Sequence, residues 1–244
     1  NTQKQRRSNC LQVSLIGYTN AGKSTIMNAL TNSGLLVEDR LFATLDSTTR
    51  LLEEDSRPKV LLSDTVGFIS NLPHEVIAAF RSTLATVRDA DLLLQVIDAD
   101  DNIEEHLQTT SEVLEDLDAA CIPIIKVFNK IDRISPTRLL ILEKSFPEAV
   151  FGSCENGGKN GLEKNSAFVE QLRKQILLFF NERMKTMTIR LDYLHSQKLA
   201  NIYELSRVDN IDYQEEGILM TLTAIPGNLE RLRHHLGSDY TEMR

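Results

Sequence analysis

Gly17, Gly22, Lys23 and Ser24 stand at the spacing G-x-x-x-x-G-K-S in the run Gly17-Tyr18-Thr19-Asn20-Ala21-Gly22-Lys23-Ser24-Thr25. A cation, a hydroxyl and side-chain-free backbone in that order are what a polyphosphate needs. The glycines let backbone N–H groups converge on phosphate oxygens, and a helix starting at Lys23 would aim its positive dipole end at the same anion. Lys23 is then expected on the β- and γ-phosphates and the Ser24 hydroxyl on Mg²⁺.

Two further motifs narrow the ligand. Asp64-Thr65-Val66-Gly67 is a D-x-x-G directly after an apolar run. Its carboxylate suits the water shell of Mg²⁺, and the Gly67 N–H suits a γ-phosphate whose loss releases the following segment. Asn129-Lys130-Ile131-Asp132 is an N-K-x-D at the end of another apolar run. Guanine offers two adjacent donors, N1–H and the N2 amine, and the Asp132 carboxylate can accept both. Adenine lacks that pair, so a site built on it discriminates strongly. Asn129 is expected to brace the loop and the base, with the Lys130 stem along the purine face. Between the first two motifs lies Leu41-Phe42-Ala43-Thr44-Leu45-Asp46-Ser47-Thr48-Thr49-Arg50. A threonine there should complete the Mg²⁺ shell and touch the γ-phosphate. On chemistry alone Thr44, Thr48 and Thr49 all qualify.

These residues need strand–loop–helix units to carry them. Runs dense in Val, Ile and Leu predict strands at 10–16, 59–63, 92–97, 122–128 and 148–153, with a weaker one near 48–54. Little polar alternation within most of them indicates strands buried on both faces of a parallel sheet. Helical periodicity falls between them, at 23–32, 73–88, 103–119, 136–145 and 161–183. This alternation predicts an α/β fold, a P-loop domain with a mostly parallel sheet and its ligand at the carboxyl ends of the strands. After Arg183 the pattern becomes β-α-β-β-α, with strands at 186–193, 207–213 and 217–224, a helix at 195–206 and a last helix from Pro226. The expected organisation is a linker or the end of a preceding helical domain over 1–9, a nucleotide-binding domain over 10–183 and a small α+β domain over 184–244.

Of the 244 residues, 41% are hydrophobic and 25% charged, the balance of a soluble globular protein. No apolar run is long enough to span a bilayer and no signal-peptide pattern is present. The three cysteines, Cys10, Cys121 and Cys154, form no metal or disulfide pattern, which fits reduced thiols in the cytoplasm. Cys121 is expected to pack beside the strand leading to Asn129. A formal net charge of −8 supplies no global attraction to nucleic acid. The start at Asn1, within a polar basic segment, suggests a fragment of a longer chain.

Taken together, G-Y-T-N-A-G-K-S, L-F-A-T-L-D-x-T-T-R, D-T-V-G-F-I…L-P-H and N-K-I-D resemble the HflX family of translation-factor-related GTPases. The second and third blocks are far more specific than the generic motifs. The resemblance covers 10–183 strongly and 184–244 through weaker motifs. It implies a Mg²⁺-dependent GTPase with GTP or GDP bound, Mg²⁺ on Ser24 and Thr44, and the base on Asn129 and Asp132. Lys23, Thr44 and Gly67 are then the groups that act on the reacting phosphate. The loop beside the guanine O6 would be Gly152-Ser153-Cys154, with Cys154 where such proteins usually carry alanine. The implied partner is the ribosome, mainly its large subunit, with subunit splitting or rescue under stress as the role. The family's N-terminal domain, absent here, is the portion expected to supply RNA contact; the chain itself is expected to be monomeric. The alternative is a GTP-dependent switch or scaffold acting on a protein partner without the ribosome. Phe68 follows D-x-x-G where Ras-like GTPases place a glutamine that orients the attacking water. A phenyl ring cannot do this, so unassisted turnover is expected to be slow, on the order of 10⁻⁴–10⁻² s⁻¹.

Overall fold

A computed structural model describes residues 10–31, 48–52, 59–65, 86–154 and 166–243. They fall into two compact units. Those within Gln12–Leu52 and Leu61–Lys174 form one, and those within Asn1–Leu11, Glu53–Val60 and Gln175–Arg244 form the other. The loop from Phe42 to Asp46, the residues Val66, Gly67 and Phe68, and the helix expected over 73–88 as far as residue 85 lie outside the described residues.

The first unit is built on a six-stranded sheet in the order β2-β3-β1-β4-β5-β6. Its strands are β1 (Leu11–Ile16), β2 (Thr49–Leu51), β3 (Val60–Asp64), β4 (Leu92–Asp98), β5 (Ile124–Asn129) and β6 (Val150–Phe151). β1, β4, β5 and β6 pair in parallel, while β2 joins β3 antiparallel at one edge. Leu92, Leu93, Leu94, Val96 and Ile97 of β4 are all buried, as a strand covered on both faces requires. The register sets Asp98 opposite Asn129, so the two strand ends that follow apolar runs meet at one edge of the sheet.

Local chemistry sets where the helices begin and end. α1 (Lys23–Leu30) starts directly from Gly22. α2 (Ile103–Asp116) is capped by Asn102, whose side chain accepts from Glu105 N, and carries Glu104 and Glu105 in its first turn, where acid suits the dipole. It stops earlier than its periodicity suggests because Asp118 adopts φ 54°, outside helical space. α3 (Pro136–Ser145) has Ser135 as cap and Pro136 at its start, the position where proline loses no bond. α4 (Ser166–Asn181) follows β6. β5 begins only after Pro123, which offers no N–H to a ladder. Cys121 is exposed rather than packed beside that strand, while Cys154 is buried; none of the three cysteines forms a disulfide among the described residues.

The second unit holds β7 (Lys185–Leu191), a 3₁₀ turn over Tyr193–Lys198, α5 (Leu199–Leu205), β8 (Arg207–Gln214), β9 (Gly217–Ala224), α6 (Pro226–Leu236) and β10 (Tyr240–Met243). The expected helix over 195–206 is therefore split into a 3₁₀ turn and a short α-helix. β10, which periodicity misses, completes β-α-β-β-α-β with sheet order β10-β7-β9-β8, antiparallel throughout. This is the ferredoxin-like arrangement. Met187, Ile189 and Leu191 alternate along β7 and pack with Leu229, Leu232 and Leu236 of α6 in one buried cluster. The short, polar Tyr-Thr-Glu-Met run of β10 carries no such signal. Pairing with β7 forms it, and Arg233 holds Glu242 through two guanidinium nitrogens at 3.2 and 2.9 Å.

Candidate functional site

The site lies where β1, β3, β4 and β5 end. At Gly17 the chain leaves β1 with φ 140°, and a Cβ there would sit 2.1 Å from Val96 O of β4. Only glycine allows that approach. Gly22, at φ 97°, ends the loop, and its own Cβ would lie 2.2 Å from Asn129 Nδ2. Between them Thr19 and Ala21 are buried and Asn20 adopts φ 61°. Thr25 is half-buried on the first turn of α1.

Lys23 lies back across this loop. Its Nζ donates to Gly17 O at 3.2 Å and to Tyr18 O at 2.9 Å. Burial pushes its pKa down to about 8, a shift that the nearby Asp64 carboxylate partly opposes. Ser24 Oγ donates to Asp64 Oδ2 at 2.5 Å, joining the first helix to the end of β3. Thr65, fully buried, donates from Oγ1 to Leu15 O at 2.6 Å and fixes the start of the D-x-x-G turn against β1.

The N-K-x-D residues brace the same loop from the other side. Asn129 Nδ2 donates to Ala21 O at 2.9 Å. Lys130, at φ 61°, reaches Asn20 O with its Nζ at 2.7 Å and pairs with Asp98 Oδ2 at 2.8 Å. Ile131, Asp132 and Arg133 form a 3₁₀ turn on which Asp132 is exposed. The loop at Gly152-Ser153-Cys154 is drawn in as well. Gly152 N donates to Phe128 O at 3.0 Å, Ile131 N to Gly152 O at 3.4 Å, and Cys154 N to Asn129 Oδ1 at 3.3 Å. A Cβ on Gly152 would lie 2.1 Å from the Phe168 ring. Burial pushes the Cys154 thiol up to about 12, so it stays protonated and packs rather than reacts.

The structure thus brings together Gly17 to Thr25, Asp64, Thr65, Asn129 to Asp132 and Gly152 to Cys154. Phe42, Ala43, Thr44, Leu45, Asp46, Val66 and Gly67 lie outside the described residues. Two neighbours of the loop escaped sequence reasoning. Asp98 is the partner of Lys130; its signal was an acid at the carboxyl end of a strand, the edge where α/β sheets bind ligands. His106, on α2, stacks on Tyr18 and carries no local signal.

A buried cation beside a glycine-bounded loop and a helix start can hold phosphate oxygens. The Ser24 hydroxyl and Asp64 carboxylate, already within hydrogen-bond distance, are hard oxygen donors of the type Mg²⁺ takes. The donor set therefore fits that ion, with Ser24 in its shell and Asp64 beside it. When bound, Mg²⁺ would neutralise charge on the phosphates. The exposed Asp132 carboxylate offers acceptors for paired base donors at the opposite end of the loop.

A family model described as "50S ribosome-binding GTPase" matches residues 12–130. GTPase HflX of Gluconacetobacter diazotrophicus is 41% identical over 237 residues, covering 97% of this chain and 51% of the relative. The chain belongs to the HflX family of GTPases. GTPase HflX of Escherichia coli is 35% identical over 227 residues, covering 92% of the chain and 51% of the relative. The chain spans about half the length of these HflX relatives. Among solved structures, a variant of SsGBP is similar with a TM-score of 0.53 and 26% identity, over 72% of this chain and 57% of that one. Era of Aquifex aeolicus, solved with GDP and AlF4⁻, shares the fold with a TM-score of 0.50 at 22% identity, over 69% of this chain and 56% of that one. The first unit is accordingly a P-loop GTPase domain of the HflX family. Among the described residues no helix is long and apolar enough to cross a membrane.

Proposed function

We propose that the chain binds GTP with Mg²⁺, hydrolyses it to GDP and phosphate, and uses the bound nucleotide to set its affinity for the ribosome. The observation that carries this is the convergence of three motifs on one loop: Lys23 on Gly17 and Tyr18, Ser24 on Asp64, and Asn129 and Lys130 on Ala21 and Asn20. Lys23 holds and neutralises the β- and γ-phosphates, and Ser24 with Thr44 takes Mg²⁺. Gly67 binds the γ-phosphate through its N–H, and Asp132 selects guanine. Residues 10–183 form the nucleotide-binding domain and 184–244 a small domain of its own. Phe68 supplies no hydrogen bond to water, so turnover is slow until a partner completes the site.

The partner we propose is the large ribosomal subunit, met in the cytoplasm by a monomer and ending in subunit splitting or rescue under stress. The name of the matching family model and the HflX relatives support that partner. RNA contact then depends on a portion beyond residues 1–244. The net charge of −8 favours a second reading, a GTP-dependent switch on a protein partner. Co-sedimentation with purified subunits, with a GTP analogue or GDP, separates the two. Analogue-dependent recovery with the large subunit, and phosphate release accelerated by it, are the expected results. Their absence with a chain extended to the full length of the relatives would remove the ribosome. Rapid hydrolysis without any partner would remove the inference from Phe68.

A further inference from the structure

We propose that His106 is a positioning residue of the phosphate loop, acting through the ring of Tyr18; this rests on the nucleotide site proposed above. The imidazole and phenol rings are stacked, centroids 4.0 Å apart and planes 14° from parallel. His106 lies on the first turn of α2, its N–H bonded to Asn102 O at 3.1 Å, and it is 5% exposed. Tyr18 is the residue next to Gly17, so a buried, rigid element grips the phosphate loop at its first turn.

The grip matters because of what Tyr18 does with its backbone. Tyr18 O accepts from Lys23 Nζ at 2.9 Å and from Ala21 N at 3.4 Å. The place of that carbonyl therefore governs both the phosphate-binding lysine and the turn over residues 18–21. Two further side-chain braces, Lys130 on Asn20 O and Asn129 on Ala21 O, act on the second half of the loop. The stack supplies a side-chain hold on the first half. A loop held in its binding conformation loses less freedom when the phosphates arrive, so it retains nucleotide longer.

The imidazole nitrogens are not what the site uses. Nδ1 is buried with no hydrogen-bond partner among the described residues, and Nε2 is 3.6 Å from Asp101 Oδ2, beyond a good hydrogen bond. What the ring contributes is a flat face at fixed height. A phenyl ring at this position should serve equally, and a methyl group should not.

Release of fluorescently labelled GDP tests this, alongside melting of each variant. His106→Ala should release nucleotide roughly two- to tenfold faster, the contribution of one aromatic pair. His106→Phe should stay within about twofold of the unaltered chain, which a merely structural need for histidine would not allow. In a Tyr18→Ala background, His106→Ala should add nothing, because the contact is already gone. Should His106→Ala not fold, Tyr18→Leu removes the stack from the loop side and should speed release by the same factor. Unchanged release in folded His106→Ala, failure of His106→Phe to restore it, or additive effects in the double variant would each overturn the proposal. Failure of the unaltered chain to bind GDP or GTP would instead overturn the nucleotide site on which it rests.

Discussion

Replacing Asp98 by Asn breaks a nearly dry ion pair. Asp98 Oδ2 and Lys130 Nζ are 2.8 Å apart, with 14% and 10% of their side chains exposed. Asp98 Oδ1 separately accepts from Asp100 N at 3.0 Å, a bond that an asparagine oxygen can keep. The amide nitrogen then faces Lys130, so the change removes both the charge and the acceptor that Lys130 uses, and leaves the Asp100 bond in place. Lys130 would keep its bond to Asn20 O but face an amide instead of a carboxylate. A charge-assisted hydrogen bond of this kind contributes about 2 kcal/mol net. For a unit of this size that corresponds to a fall in melting temperature of roughly 5 °C. Because Lys130 also holds the phosphate loop at Asn20, part of the loss should appear as release of GDP about tenfold faster, or ~1.4 kcal/mol. Thermal melting and stopped-flow release of labelled GDP read the two effects. The pair Arg88–Asp118 is the control: it is 3.9 Å apart, with side chains 59% and 87% exposed. Asp118→Asn should change stability by less than about 0.5 kcal/mol, and asparagine tolerates the positive φ there. In a Lys130→Met background, Asp98→Asn should have no further effect on release. Equal melting and release for Asp98→Asn and the unaltered chain would refute the reasoning, as would additive effects in the double variant.

Lys23 titrates at about 8 before nucleotide binds, and the phosphates favour its charged form. Affinity should thus be nearly full at pH 7 and decline through pH 8, roughly fourfold between pH 7 and 8.5, with about half a proton taken up per nucleotide at pH 8. Calorimetry in buffers of different ionisation enthalpy measures the uptake; no uptake, or the same uptake in Lys23→Arg, would refute it. Gly22→Ala forces a side chain into φ 97° and against Asn129 Nδ2, so nucleotide affinity should drop at least about tenfold in a chain that still folds. A fluorescence titration showing normal affinity would count against the loop geometry. Asp132→Asn sets an amide against one of guanine's two donors and should weaken GTP on the order of a hundredfold while improving binding of xanthine nucleotides. Competition binding that finds GTP affinity unchanged would remove Asp132 from the base site. Leu232→Ala, at a fully buried position in the second unit, should cost about 2–5 kcal/mol in that unit's melting and leave nucleotide affinity intact.

Much of the nucleotide-binding unit was legible in the sequence because its signals are local. Burial on both faces leaves continuous Val, Ile and Leu runs, and these became β1, β3, β4 and β5. Helical periodicity over 103–119 and 136–145 announced α2 and α3. Glycine at positions 17 and 22 could be read as a need for positive φ and close approach, since no other residue is free to adopt both. Element ends were less legible. α2 stops because Asp118 leaves helical space, and β10 exists only because β7 offers an edge for a short polar run to pair with. The split of 193–205 into a 3₁₀ turn and a helix likewise follows from packing, not periodicity.

The sequence by itself determined which groups are offered to the proposed nucleotide: a cation, a hydroxyl, an amide and carboxylates, at spacings that place them at strand ends. Such spacing is one-dimensional information, complete in the chain. What holds those groups in place was decided only by the tertiary structure. Asp98 meets Lys130 because β4 and β5 are in parallel register, and His106 meets Tyr18 because α2 lies over the end of β1. Neither contact has a sequence spacing of its own. Each forms between side chains distant in the chain that become neighbours only after the sheet has assembled.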